Sequence, residues 1–399
     1  MATENHGYST RAGRNISQPT GYRAFIPAPL PPVPPIAIDG ELLRLLSDAD
    51  RALARLDAIS TLLPNPDLFV AMYVRQEAVL SSQIEGTQST LEDVLAYEAN
   101  ATHNKAPKDV EEVVNYVRAM NHGLRRLPTL PLSLRLLREI HKELMHNVRG
   151  GERTPGEFRT SQNWIGSPGP TLTNAAFIPP PPHQLMQCLG DFEKFIHEHK
   201  ADTPLLIQCG LAHAQFETIH PFLDGNGRVG RLLIALMLCE ANALSQPLLY
   251  LSHYLKANRA EYYDRLTAIR QRGDWEGWLR FFLRGVAEVS AQATTTARCI
   301  VALREAQRAK YASNANALKL IDSLFEKPIV NVKHCSEVLG VSYVTANSLV
   351  AKLEKAGLLQ ETTSWGRNRV YRFQAYLALF VGDTSPTNAA PLAASSPRM

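Results

Sequence analysis

The stretch that decides the fold is His220-Pro221-Phe222-Leu223-Asp224-Gly225-Asn226-Gly227-Arg228-Val229-Gly230-Arg231. Beyond it, Val229, Leu232, Leu233, Leu236 and Met237 recur at the spacing of an apolar helical face, so a glycine-rich loop runs into a buried helix. The first turn of such a helix leaves backbone N–H groups unpaired and carries the positive end of the dipole. Gly225 and Gly227 let the backbone come close to a ligand, and a phosphate chain is the guest that suits. Arg228 and Arg231 stand three residues apart, so both guanidiniums can reach one polyphosphate as forks. Asp224 is a hard oxygen ligand of the kind Mg²⁺ takes when it sits on substrate phosphates. His220 is the group in the loop that ordinarily titrates near neutrality, which makes it the candidate general base. The bland alternative, a tight turn whose His and Asp only cap a helix, needs every one of these positions to coincide by accident.

This stretch resembles the signature of Fic-domain proteins, His-Pro-Phe-x-Asp/Glu-Gly-Asn-Gly/Lys-Arg-x-x-Arg, and matches it at every defined position. The resemblance implies a protein adenylyltransferase that moves AMP from ATP to Ser, Thr or Tyr hydroxyls of target proteins and of itself. In that reading His220 deprotonates the hydroxyl, and Asp224 holds Mg²⁺ on the α- and β-phosphates. Gly225, Asn226 and Gly227 form the anion hole. Arg228 and Arg231 hold the outer phosphates, with Val229 and Gly230 between them on the same nucleotide-binding run. A branch of the family that phosphorylates its target has Lys where Gly227 stands, which argues against that chemistry here.

Upstream lies Ser81-Ser82-Gln83-Ile84-Glu85-Gly86. Alone it is a helix end with an exposed Glu. Beside the first motif it resembles the family's inhibitory segment, Ser/Thr-x-x-x-Glu-Gly/Asn. Ser81 and Glu85 share a helix face, and a carboxylate aimed at Arg231 would form a bidentate pair. That pair would occupy the guanidinium needed for the γ-phosphate, leaving ATP with its α-phosphate out of line.

Between the motifs, residues 156–182 read as two short β-like runs around a polar, glycine- and proline-rich turn, which predicts a hairpin; the alternative is a long surface loop. In the Fic resemblance this is the flap, whose exposed edge takes a target segment by strand addition. Trp164, Ile165 and Gly166 would then lie against the nucleotide, and the turn at 167–174 would take part in choosing the target. After the motif helix, the resemblance places Tyr263 and Arg270 toward the adenine and ribose.

The rest of the chain reads as helices. Apolar stripes predict them over 38–62, 67–85, 108–127, 133–146, 184–200, 203–219 and 254–272, with a further long helix from Trp275 to about Lys310. Thr90 and Asp93 form a capping box for another. The fold class is therefore all-α, a helical Fic core with a β-hairpin flap plus a C-terminal winged-helix module. The expected divisions are a flexible Pro-rich arm at 1–36, an N-terminal helical segment with the inhibitory motif at 37–127, the catalytic domain at 128–290 and a linker helix at 291–312. A winged helix follows at 313–375, and a disordered, Ser/Pro/Ala-rich tail at 382–399.

Within 313–373, eight basic and five acidic residues give +3. Lys352, Lys355, Arg367, Arg369 and Arg372 could meet phosphates, so DNA is a candidate partner through 342–372; a protein-interaction role for the module is the equal alternative. The whole chain's net charge of +4 does not by itself imply nucleic acid.

Five scattered cysteines without a C-x-x-C pair read as reduced thiols. Residues 1–14 lack an apolar signal core, and no apolar run reaches the roughly eighteen residues of a membrane span. The expectation is a cytoplasmic protein with no membrane segment. Inhibited Fic proteins often change oligomeric state, so a homodimer is a further candidate. Two rival readings stay open: a DNA-binding regulator whose Fic core senses nucleotide, and a Fic enzyme that uses another donor such as UTP or GTP or that removes AMP.

Overall fold

The computed structural model describes residues 11–380 except 63–65, 101–107, 149, 152, 167–171, 173–174, 199–202 and 363–368. The chain forms two compact units, Met1–Arg298 and Cys299–Met399. It is mostly helical, as the apolar periodicity requires.

At the centre of the first unit, the helix Leu205–Ile219 is buried on every side from Leu206 onward and packs against the motif helix Asn226–Glu240. A helix without a polar face has to be a core helix, and this one ends on His220. Around the pair stand Gly40–Leu62, Pro66–Ile84, Lys108–Arg126, Leu134–Leu144 and Pro182–Glu198. The stripe Leu42, Leu45, Leu46, Ala49, Leu53 and Leu56 on the first of these is buried throughout. Pro66–Ile84 stops at Gly86, whose φ of 102° suits glycine. The capping box before Leu91–Asn100 is closed both ways, with Thr90 N donating to Asp93 Oδ2 at 2.8 Å and Asp93 N to Thr90 Oγ1 at 3.2 Å. The helix expected over 254–272 is two helices, Ser252–Ala257 and Arg259–Arg272, because Asn258 leaves helical geometry (φ −112°, ψ 38°) and turns its amide onto the Tyr254 carbonyl. The final long helix runs Trp275–Lys310.

The N-terminal stretch differs from the flexible arm expected of 1–36. Gly13–Ser17 and Arg23–Pro27 pair antiparallel, in register from Gly13 opposite Pro27 to Ser17 opposite Arg23. Ala24 and Phe25 are buried. Phe25 N donates to Ile178 O at 2.9 Å, so the hairpin rests on the flap. Arg11 is held by both oxygens of Glu276, at 2.7 and 2.8 Å, and by the carbonyls of Pro34 and Pro35. The prolines that suggested an extended arm frame an anchored hairpin.

In the second unit the order is helix Ala315–Glu326, strand Ile329–Asn331, helices Val332–Leu339 and Tyr343–Lys355, then strands Gln360–Glu361 and Val370–Arg372 and the short helix Gln374–Leu377. The sheet places Val370–Arg372 between the other two strands. Its first strand, missed in the sequence, is three residues long and hidden before a helix start capped by Asn331. The hairpin tip expected around Gly366, with Arg367, and the tail at 382–399 lie outside the described residues.

Candidate functional site

The loop between the two core helices is built by its own polar groups. Asn226 Oδ1 accepts from Phe222 N and Asn226 Nδ2 donates to Phe222 O, each at 2.8 Å. The Phe222 ring is fully buried and stacks on His141, with centroids 3.8 Å apart and planes 5° from parallel. His141 accepts from Gly156 N at Nδ1 (2.8 Å), so its Nε2 carries the proton and donates to the Asp224 carbonyl (3.1 Å). Burial pushes its pKa down to about 4, so the ring stays neutral. The side-chain amide of Asn226, a residue that the resemblance places in the anion hole, is thus spent inside the loop, and its backbone N–H remains. Gly225 enters the helix in the left-handed region (φ 76°), and the first intrahelical bond, Val229 N to Gly225 O, leaves the N–H groups of Asn226, Gly227 and Arg228 ahead of it.

His220 ends the preceding helix in a left-handed conformation (φ 50°, ψ 61°) that non-glycine residues seldom adopt. Its Nδ1 is buried without a hydrogen-bond partner. Burial first, then the charges of Arg270 and Arg159, push its pKa down to about 3. The imidazole is therefore neutral with a lone pair available, further from neutrality than the bare residue type suggested.

Arg231 is held by the end of helix Pro66–Ile84. Its Nε donates to Ser81 Oγ (2.8 Å), and its Nη2 to Ser81 O (3.0 Å) and Glu85 Oε1 (2.6 Å). Burial works against the Glu85 charge, but Arg231, aided by Arg228, outweighs it and holds the carboxyl below its ordinary pKa. A Cβ at Gly227 would meet Glu85 Oε1 at 2.2 Å, so the carboxylate lies directly over the first turn of the motif helix. Ser81, Glu85, Gly227 and Arg231, named from two motifs some 140 residues apart, thus form one cluster.

Arg228, by contrast, is buried against Glu112 (3.0 Å), with Asp224 at 3.7 Å. Glu112 was missed: in the run Glu111-Glu112 the sequence gives no sign of which one faces inward. Asp224 keeps about a third of its side chain exposed. Its Oδ1 accepts from Gly225 N at 2.7 Å. Arg153, itself half exposed, lies 3.7 Å from Asp224 Oδ2, a loose contact that a Mg²⁺ drawing its other ligands from phosphates and water would replace.

The flap shows one β-bridge, with Ile165 N to Phe177 O at 2.8 Å and Phe177 N to Ile165 O at 3.1 Å. No longer ladder forms among the described residues, and most of the turn at 167–174 lies outside them. Trp164 is 43% exposed and Gly166 is exposed. Tyr263 and Arg270 part company. Tyr263 stays partly exposed with Arg259 over its ring, whereas Arg270 is buried beneath Phe177 of the flap and donates to Glu217 O (3.1 Å) and Thr218 Oγ1 (3.2 Å). Glu217, also missed, has its Oε1 buried without a partner, and burial pushes its pKa up to about 7.

Residues 43–125 match the Fic/DOC family N-terminal region and residues 131–238 match the Fic/DOC family. The chain is similar to proteins named Protein adenylyltransferase Fic from Drosophila erecta and Drosophila melanogaster, each 28% identical over 209 residues. The match covers 51% of this chain and 38% of each relative, so the chain spans well under half of their length. Among solved structures, a Fic family protein from Desulfovibrio desulfuricans shares the fold at a TM-score of 0.56, with 19% identity over 85% of this chain and 97% of that one.

Proposed function

We propose, from the match of residues 43–125 and 131–238 to the Fic/DOC N-terminal region and the Fic/DOC family, that the chain transfers AMP from ATP to hydroxyls of target proteins and of itself, restrained by Glu85. The observation that carries the reading is the Glu85–Arg231 pair lying over Gly227 at the start of the motif helix. The neutral imidazole of His220 takes the hydroxyl proton. The hydroxyl oxygen forms its bond to the α-phosphorus as the bond to the β-phosphate oxygen breaks, and pyrophosphate leaves. The N–H groups of Asn226, Gly227 and Arg228 donate to phosphate oxygens, and Asp224 would hold a Mg²⁺, which would neutralise charge on the phosphates. While Glu85 occupies Arg231, the γ-phosphate lacks its guanidinium and the α-phosphate is out of line.

The test is labelling with α-³²P-ATP and Mg²⁺. Glu85→Gly should raise protein-bound label above wild type, and His220→Ala in that background should abolish it. Persistent label without His220 would remove it as the base. Equal absence of label from wild type and Glu85→Gly, with ATP bound, would favour another nucleotide donor.

A second reading concerns the C-terminal unit, which we read as a winged helix. Tyr343 and Val344 are 56% and 78% exposed at the start of helix Tyr343–Lys355, where a recognition helix meets a groove. Arg369 sits beside it at 3.3 Å from Asn347. A gel shift over a salt series checks this. DNA contact gives affinity that falls steeply with salt, and no shift at low salt leaves the unit a protein-interaction module.

A further inference from the structure

Arg159 is 2% exposed and makes no ion pair among the described residues. Carbonyls surround it instead. Its Nε donates to His220 O at 2.9 Å, its Nη2 to Pro180 O at 2.5 Å and Ile219 O at 3.4 Å, and its Nη1 to Ser161 O at 3.3 Å. Its own backbone N donates to Pro221 O at 2.9 Å. One guanidinium thus joins three pieces of chain: the first leg of the flap at Ser161, the second at Pro180, and the turn that carries His220. Two of its acceptors are the last carbonyls of helix Leu205–Ile219, the end at which a cation is favoured. Asn163 repeats the arrangement. Its Nδ2 donates to Phe222 O at 2.9 Å and to the same His220 carbonyl at 3.3 Å.

These bonds converge on a residue held in backbone geometry that its side chain disfavours. A strained residue persists only where its surroundings over-determine it, and the His220 carbonyl, gripped by two side chains from one leg of the flap, meets that condition. We infer that Arg159, seconded by Asn163, is a positioning residue that fixes His220 in its left-handed conformation and sets its place relative to both legs of the flap. A hydroxyl presented along the flap is then in register with the imidazole because one side chain holds both. The inference rests on His220 acting as the base.

The experiment uses the full chain in the Glu85→Gly background. Arg159→Lys and Asn163→Ala are compared for the single-turnover rate of AMP transfer, for affinity toward a non-hydrolysable ATP analogue, and for melting temperature. A misplacement of about 1 Å can cost on the order of 100-fold in rate. The expected result is a rate loss of that order for Arg159→Lys and a smaller one for Asn163→Ala, with analogue affinity nearly unchanged. If Arg159→Lys does not fold, Asn163→Ala decides, because its half-buried amide can be removed without leaving a charge. Folded variants that transfer at the parental rate would overturn the inference, as would analogue affinity falling in step with rate. An unlabelled Glu85→Gly parent overturns the proposed function, and the inference with it; a labelled parent with unaffected variants overturns the inference alone.

Discussion

Arg228 and Arg231 stand three residues apart on one helix, and each finds a carboxylate, yet the two pairs differ in kind. Glu112 and Arg228 leave 3% and 4% of their side chains exposed, whereas Glu85 keeps 34% open. Removing one partner of a buried pair strands the other charge, at a cost of about 3–5 kcal/mol. Glu112→Ala should therefore lower stability by that order in urea unfolding, while Glu85→Gly strands an Arg231 that is just as buried, at 2% exposed, but keeps two bonds to Ser81, and should cost less. Comparable losses would mean that the two pairs are equally structural. At this scale the sequence was legible wherever chemistry was local: His220, Asp224, Gly225 and Gly227 share one short run, and Ser81 and Glu85 share one helical face. Glu112, Arg159 and Glu217 were not legible. A charged residue on a periodic helix, or in a loop, reads as solvent-facing until its distant partner is known; 116 residues separate Glu112 from Arg228.

At the scale of elements, the long helices follow directly from apolar spacing, and the core helix Leu205–Ile219 shows its burial in an unbroken lack of a polar face. What spacing could not supply was close approach. A Cβ on Gly230 would come within 2.5 Å of Glu217 Oε1, and the Gly230 carbonyl lies 2.8 Å from His213 Nδ1. Gly230, one turn beyond the glycines of the loop, thus serves the packing of the two core helices. The N-terminal hairpin escaped notice because its strands are five residues each and bordered by prolines, while much of what fixes them is elsewhere: Phe25 on Ile178, and Gln215 on Ala28 at 2.8 Å. The break at Asn258 is similar, since nothing in an Asn between helical runs says that its amide turns back onto the chain.

At the scale of the whole molecule, buried titratable groups set how stability follows pH. Burial pushes Glu77 up to about 7 from 4.5, and Glu217 likewise. The folded chain holds those protons between pH 4.5 and 7 and the unfolded chain does not. Their stabilisation is complete below 4.5 and is lost as pH rises through 7. His141 and His213, pushed down to about 4, act oppositely and cost stability as pH falls below 6.5. Above 6.5 only the carboxyls remain active among these groups. The melting temperature should fall between pH 6.5 and 8.5, and Glu77→Gln should shrink that fall; an unchanged slope would show that Glu77 is ionised throughout.

The bond from Glu85 to Arg231 also has a bearing on how the protein could ever be switched on. The carboxylate is tethered within the same compact unit as the guanidinium, so it competes as a ligand at a fixed effective concentration that dilution never lowers. Free nucleotide competes only in proportion to its amount. For the restrained transferase proposed above, a rise in ATP alone would therefore be a poor release signal, and an effective activator would be one that draws the end of helix Pro66–Ile84 away from the motif helix.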